Sequence, residues 1–143
     1  MKKVVAFGTF DILHPGHTYF LTEAKRLGDF LTVVVARDAT VLAVKKRLPV
    51  NNENERRRAV EALGLADKVI LGNLDNKYQV IADEAPAIIA LGYDQEAFVD
   101  ELNEHLPGDA RIVRLQSFEP EKYKSSKFRY DWYFIRHNQR REV

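Results

Sequence analysis

The sequence contains no cysteine, which excludes a disulfide framework, a thiolate zinc site and a thiol nucleophile together. It also lacks an excess of either charge. The 22 Lys+Arg residues nearly balance 21 Asp+Glu, so the net charge of +1 gives no general case for a nucleic-acid or membrane-surface partner. Long apolar runs are missing as well, and the longest, around Phe30–Ala36, is far too short to span a bilayer. Met1-Lys2-Lys3 leads straight into a strand-like segment rather than an apolar signal region. What remains is an ordinary globular composition, 45% hydrophobic and 30% charged. At 143 residues, one domain covering 1–143 is expected, cytoplasmic and directed at small molecules.

Five short runs read as strands: Lys3–Phe7, Phe30–Ala36, Lys68–Leu71, Ala87–Leu91 and Arg111–Leu115. They are rich in Val and Ile and mostly continuous in hydrophobicity, which suits strands covered on both faces of a parallel sheet. Segments of helical spacing separate them. Phe20, Ala24 and Leu27 share a face, with Gly28 as an expected C-terminal cap. Ala59, Val60 and Leu63 line a helix ending near Gly64, and Phe98 and Leu102 mark another before Pro107-Gly108. Phe128, Trp132 and Ile135 mark a closing helix. Alternation of this kind predicts an α/β fold, a doubly wound five-stranded parallel sheet. The basic and Asn-rich stretch Lys45–Asn54 reads as a flexible loop near a site.

The chemistry concentrates in Gly8-Thr9-Phe10-Asp11-Ile12-Leu13-His14-Pro15-Gly16-His17, between the first strand and the first helix. Ligands of open α/β sheets bind beyond the carboxyl ends of the strands, and a helix N-terminus there suits phosphate. Gly8 would let the backbone approach a ligand, and Gly16 would let the chain turn before the helix. His14 and His17 add hydrogen-bond donors for phosphate oxygens, stronger when protonated. Gly-x-Gly-x-x-Gly, Gly-Lys-Ser/Thr and His-Glu-x-x-His are all absent, which removes the dinucleotide, Walker and zinc-hydrolase readings. A lone loop histidine is usually incidental, yet the combination favours a phosphate-handling site. Arg56 and one lysine of the Lys45-Lys46 pair, with Lys46 preferred, are expected to reach phosphate. Asp94 follows a buried strand at its carboxyl end, a position that favours ligand contact.

Gly8-Thr9-Phe10-Asp11 joined to His14-Pro15-Gly16-His17 resembles the signature of the cytidylyltransferase-like nucleotidyltransferase superfamily, with its His-x-Gly-His motif. Asn52–Arg58 sits where glycerol-phosphate cytidylyltransferases carry an Arg-Tyr-Glu-x-Arg type motif, with Arg56 at its final Arg. Tyr123-Lys124-Ser125-Ser126-Lys127 is similar to the family's Ile-Ser-Thr-Thr-Lys segment. Within the superfamily the likeness is closest to archaeal-type FAD synthases, through Val35-Ala36-Arg37-Asp38, Glu61-Ala62-Leu63 with Leu71-Gly72-Asn73-Leu74, and above all Leu91-Gly92-Tyr93-Asp94-Gln95. Those enzymes carry C-terminal cysteines that this chain lacks.

The resemblance implies a Rossmann-like fold, a homodimer, and nucleotidyl transfer from ATP or CTP with Mg2+ or another divalent cation. FMN adenylyltransferase is the leading expectation. A CTP-dependent enzyme acting on glycerol 3-phosphate, or a non-catalytic nucleotide-binding module, are the alternatives. The resemblance puts Gly8, Thr9, Phe10, His14, Pro15, Gly16, His17, Asp94, Ser125 and Ser126 against the nucleotide. His14, His17, Lys46 and Arg56 would carry catalysis. Asp11 is placed with the acceptor, as are Phe118 and Tyr123, aromatics left over once helical spacing buries Phe128 and Trp132.

Overall fold

The computed structural model describes residues 1–74, 76, 78–92, 106, 108 and 110–116. Along the chain run β1 (Lys3–Gly8), α1 (Pro15–Arg26), β2 (Phe30–Val35), α2 (Asp38–Lys45) and α3 (Glu53–Ala62). They are followed by β3 (Lys68–Leu71), α4 (Gln79–Glu84), β4 (Ile88–Leu91) and β5 (Arg111–Arg114). The five strands form one all-parallel sheet in the order β3-β2-β1-β4-β5. The chain winds outward from β1 to β3, then returns to the other side of β1 for β4 and β5. The order therefore reverses between β1 and β4, where α/β sheets open a crevice for ligands.

The strands are covered on both faces, as their continuous apolar runs require. Val4, Ala6, Leu31, Val33, Val35, Ile88 and Ala90 face Leu21 and Ala24 of α1 and Val60 of α3. The alternate residues Val5, Val34, Ile89 and Leu91 face Val80 and Ile81 of α4. Burial of these apolar side chains, at about 25 cal/mol per Å² of apolar surface, drives the sandwich of helices on sheet.

Two glycines do different work. Gly64 follows α3 with φ of 70°, the left-handed residue that ends a helix. Gly28 does not share that conformation. Leu27 caps α1 in the right-handed region, and a Cβ on Gly28 would lie 2.6 Å from the Lys2 carbonyl oxygen. Close passage of the chain, rather than capping, therefore requires Gly28. In the stretch Lys45–Asn54, Lys45 ends α2, Asn52 caps α3 with its side chain accepting from the Glu55 N–H, and the Val50 and Asn51 N–H groups donate to the Asp11 carboxylate. The helices expected around Phe98 and Phe128 lie outside the described residues. Among the described residues, no helix is long and apolar enough to cross a membrane.

Candidate active site

The histidine pair opens α1 at the carboxyl end of β1. His14 is the N-cap, Pro15 occupies the first helical position, and Gly16 and His17 follow. Proline fits there because that position has no intrahelical use for an N–H. The Gly16 N–H donates to His14 Nδ1 at 3.0 Å, and the His14 N–H donates to His17 Nδ1 at 3.3 Å. Two imidazoles thus stand in for the hydroxyl and carboxylate of an ordinary capping box. Their rings lie 4.1 Å apart between centroids.

This cap fixes chemistry as well as structure. A nitrogen that accepts a backbone N–H carries no proton, so Nε2 is the protonated, donating nitrogen of both rings. The amides expected to cradle phosphate are already engaged: Gly16 N–H by His14 Nδ1, and His17 N–H by the His14 carbonyl at 2.9 Å. The first turn of α1 carries no acidic residue, so its positive end suits an anion.

The glycines of the motif serve ring packing. A Cβ on Gly8 would lie 2.6 Å from the Phe10 ring, and one on Gly16 would lie 2.7 Å from the His14 ring. Gly8 thus gives room to the Phe10 ring, and Gly16 lets the His14 imidazole fold back over its own helix. Phe10 is 3% exposed, adopts φ of 54°, and places its ring 5.5 Å from that of His17. It backs the histidine from inside the protein.

Arg56 corrects the sequence reading most. Its side chain is fully buried, and it does not reach out to phosphate. Nε donates to the Asn51 carbonyl at 2.9 Å, Nη1 to the carbonyls of Thr9 at 2.9 Å and Ala36 at 2.8 Å, and Nη2 to Asp38 Oδ1 at 2.6 Å. One guanidinium therefore fastens the segments that leave β1 and β2 to the loop before α3. Beside it, Glu53 accepts from the Asp38 N–H at 2.8 Å and from Arg37 Nη1 at 3.0 Å, while Arg37 Nε donates to the Gly72 carbonyl at 2.7 Å. The exits of β1, β2 and β3 are joined in one network. No local sequence pattern marks Arg37, Asp38 and Glu53 as parts of this network, beyond the acidic residue at the first position of α2.

Asp11 has a similar bracing part. Its carboxylate accepts the N–H groups of Val50 and Asn51, both at 2.8 Å, and its carbonyl accepts from Asn51 Nδ2 at 2.6 Å. Burial raises its pKa, but the Asn51 and Val50 hydrogen bonds and the nearby Arg56 charge outweigh that and leave it below the ordinary carboxylate value. Both carboxylate oxygens hold the loop at Val50 and Asn51. Of the two lysines, Lys45 lies nearer the motif, with Nζ 3.5 Å from Thr9 Oγ1. Lys46, in the left-handed region, caps α2. The structure therefore favours Lys45 over Lys46 as the cation beside the motif. Asp94, Phe118, Tyr123, Ser125 and Ser126 lie outside the described residues. Gln116, just before them, donates to the Tyr19 hydroxyl at 3.0 Å, so the chain leaves β5 alongside α1.

Residues 5–139 match the cytidylyltransferase-like family. The chain belongs to that family. It is 48% identical to the FAD synthase of Ferroglobus placidus over 122 residues, covering 83% of this chain and 79% of that one. The FAD synthase of Aciduliprofundum boonei is 46% identical over 121 residues, 82% and 80% of the two chains. Among solved structures, a lipopolysaccharide core biosynthesis protein from Thermoplasma volcanium superposes with a TM-score of 0.71 at 36% identity, covering 83% of this chain and 99% of that one. Among the described residues, no group of three or more His, Asp or Glu could hold a metal ion. The Nδ1 atoms of both histidines and the Asp11 carboxylate are occupied by backbone N–H groups, so none of them is placed to ligate a cation.

Proposed function

We propose that this nucleotidyltransferase makes FAD from FMN and ATP. The observation that carries the reading is 46–48% identity to FAD synthases across four-fifths of the chain. An oxygen of the FMN phosphate attacks the α-phosphorus of ATP, the bond to the bridging α–β oxygen breaks, and pyrophosphate leaves. A phosphate monoester is already ionised near neutral pH, so the step needs alignment and charge neutralisation rather than a strong base. His14 and His17 donate from Nε2 to the α-phosphate and the leaving group. Lys45, with Lys46 next to it, neutralises charge on the acceptor side. Arg56 and Asp11 hold the loops that present these groups. Nucleotide contacts at Asp94, Ser125 and Ser126, and acceptor contacts at Phe118 and Tyr123, belong to the same proposal. So do ATP in place of CTP, a cytoplasmic location and a homodimer. Mg2+, bound with ATP, neutralises triphosphate charge.

The test is product formation. Purified protein given FMN, ATP and Mg2+ yields FAD and pyrophosphate, and His14→Ala or His17→Ala lowers turnover by about 10²–10³. The missing cap costs α1 only about 1 kcal/mol, so the variants remain folded. CDP-glycerol formation from CTP and glycerol 3-phosphate, with no FAD, would replace the acceptor and the base while keeping the chemistry.

A further inference from the structure

Exposed large apolar side chains are concentrated beside the motif. Apart from Met1, the described residues expose six: Ile12, Leu42, Val44, Leu48, Val50 and Leu74. Five of the six belong to the Asp11–Ile12 turn or to the stretch 42–50, which Asp11 ties to it. Ile12 is 63% exposed, Leu48 62% and Val50 77%. Scattered apolar residues need no explanation, but a cluster at the mouth of a site marks a binding surface.

This cluster is held in place. The Val50 and Asn51 N–H groups reach the Asp11 carboxylate, and Arg56 holds the Asn51 carbonyl, so folding these side chains inward would break those hydrogen bonds. Its neighbours on the other side are basic. Lys45 Nζ lies 3.5 Å from Thr9 Oγ1, and Lys46 and Arg47 are exposed before Leu48. An apolar shelf rimmed by cations complements a molecule with an apolar body and an anionic end.

Building on the proposed FMN reading, we infer that Ile12, Leu48 and Val50 form the shelf that receives the planar ring system of the phosphorylated acceptor. The ring lies across the three side chains, and its phosphate points past Lys45 toward the histidine pair. A small phosphorylated polyol would leave all three side chains in water. The shelf thus selects for a flat apolar acceptor, and its rigidity lowers the ordering cost of binding.

The variants Ile12→Ser and Leu48→Ser/Val50→Ser test this, since exposed positions tolerate substitution without unfolding. Flavin fluorescence titrations with FMN and with riboflavin, which lacks the phosphate, should both show affinity weakened on the order of tenfold. The KM for FMN should rise by the same factor, with the KM for ATP unchanged. Unaltered FMN and riboflavin affinity in variants of an enzyme that makes FAD would overturn the shelf and leave the FMN reading standing. Unaltered flavin affinity together with loss of a dimer in sedimentation would assign the patch to a second copy of the chain. A wild-type protein that binds neither flavin nor makes FAD would overturn the FMN reading and the shelf with it.

Discussion

At the carboxyl edge of the sheet, Arg56 is buried against three backbone carbonyls and one carboxylate; at the amino edge, Glu84 is buried against side chains. Glu84 accepts from Thr32 Oγ1 at 3.0 Å and Lys68 Nζ at 2.8 Å, with Lys3 Nζ at 3.8 Å. Both charges satisfy the rule that a buried ion needs partners. The partners differ in kind. Carbonyls belong to loop backbone, so the arginine dictates where three connecting segments run. Lysines and a threonine project from strands already set by the sheet, so the glutamate holds together what is already in place. The same physics gives a template for a site at one edge and a stabiliser at the other.

The largest effect expected is at Arg56. Arg56→Met would leave the Thr9, Ala36 and Asn51 carbonyls and Asp38 without their donor, at a cost of about 3–5 kcal/mol. Chemical denaturation would show that loss. Arg56→Lys, which keeps the charge but cannot span three carbonyls, separates support from charge. It should regain part of the stability while the KM for substrates stays raised. Wild-type KM values in a folded Arg56→Lys variant would reduce Arg56 to a stabiliser like Glu84.

Arg56 also marks the limit of what the sequence makes legible. The strands could be read because their side chains are apolar on both faces, and β3 falls on the expected residues, Lys68–Leu71. The histidine pair could be read because its partners are within three residues, and local spacing is visible in a string. Arg56 takes its partners from 47, 20, 18 and 5 residues away, and three of the four are backbone oxygens that any residue possesses. No residue pattern announces that. The helices α2 and α4 escaped for a related reason: at eight and six residues, they offer too few turns for a periodic pattern to stand out. Glu84 was equally silent, since its partner Thr32 lies 52 residues away.

A smaller effect is expected at Glu84, and of a different kind. Burial raises its pKa, but hydrogen bonds from Lys68 and Thr32 and the charges of Lys68 and Lys3 more than offset it, leaving it below 4.5. A group depressed in the folded state adds stability that is complete above its unfolded pKa and is lost as pH falls through its folded pKa. Glu84→Gln should therefore cost about 1–3 kcal/mol at neutral pH, with the difference from wild type shrinking on acidification below about pH 4. Turnover at neutral pH should not change. A loss of turnover with unchanged stability would break the contrast between the two edges.

The smallest effect expected is at Asp11, a carboxylate also depressed below its ordinary value, but at the site edge. Its partners are the Val50 and Asn51 N–H groups, on a loop that water can reach. Solvent can replace a lost carboxylate there, so Asp11→Ala should cost no more than about 1 kcal/mol of global stability. The loop itself should respond. Amide exchange at Val50 and Asn51 should quicken, because the groups that accept those protons are gone. If Asp11 acts by holding the loop, the acceptor KM should rise by a factor of about three to ten while the ATP KM stays put, since the histidine cap retains its own hydrogen bonds. The pH dependence carries the same sign as for Glu84: the brace is complete above the unfolded carboxylate value and loosens as pH falls through the depressed one. If turnover collapses by two orders of magnitude while Val50 and Asn51 keep their slow exchange, Asp11 touches the reacting groups directly and the bracing role is wrong.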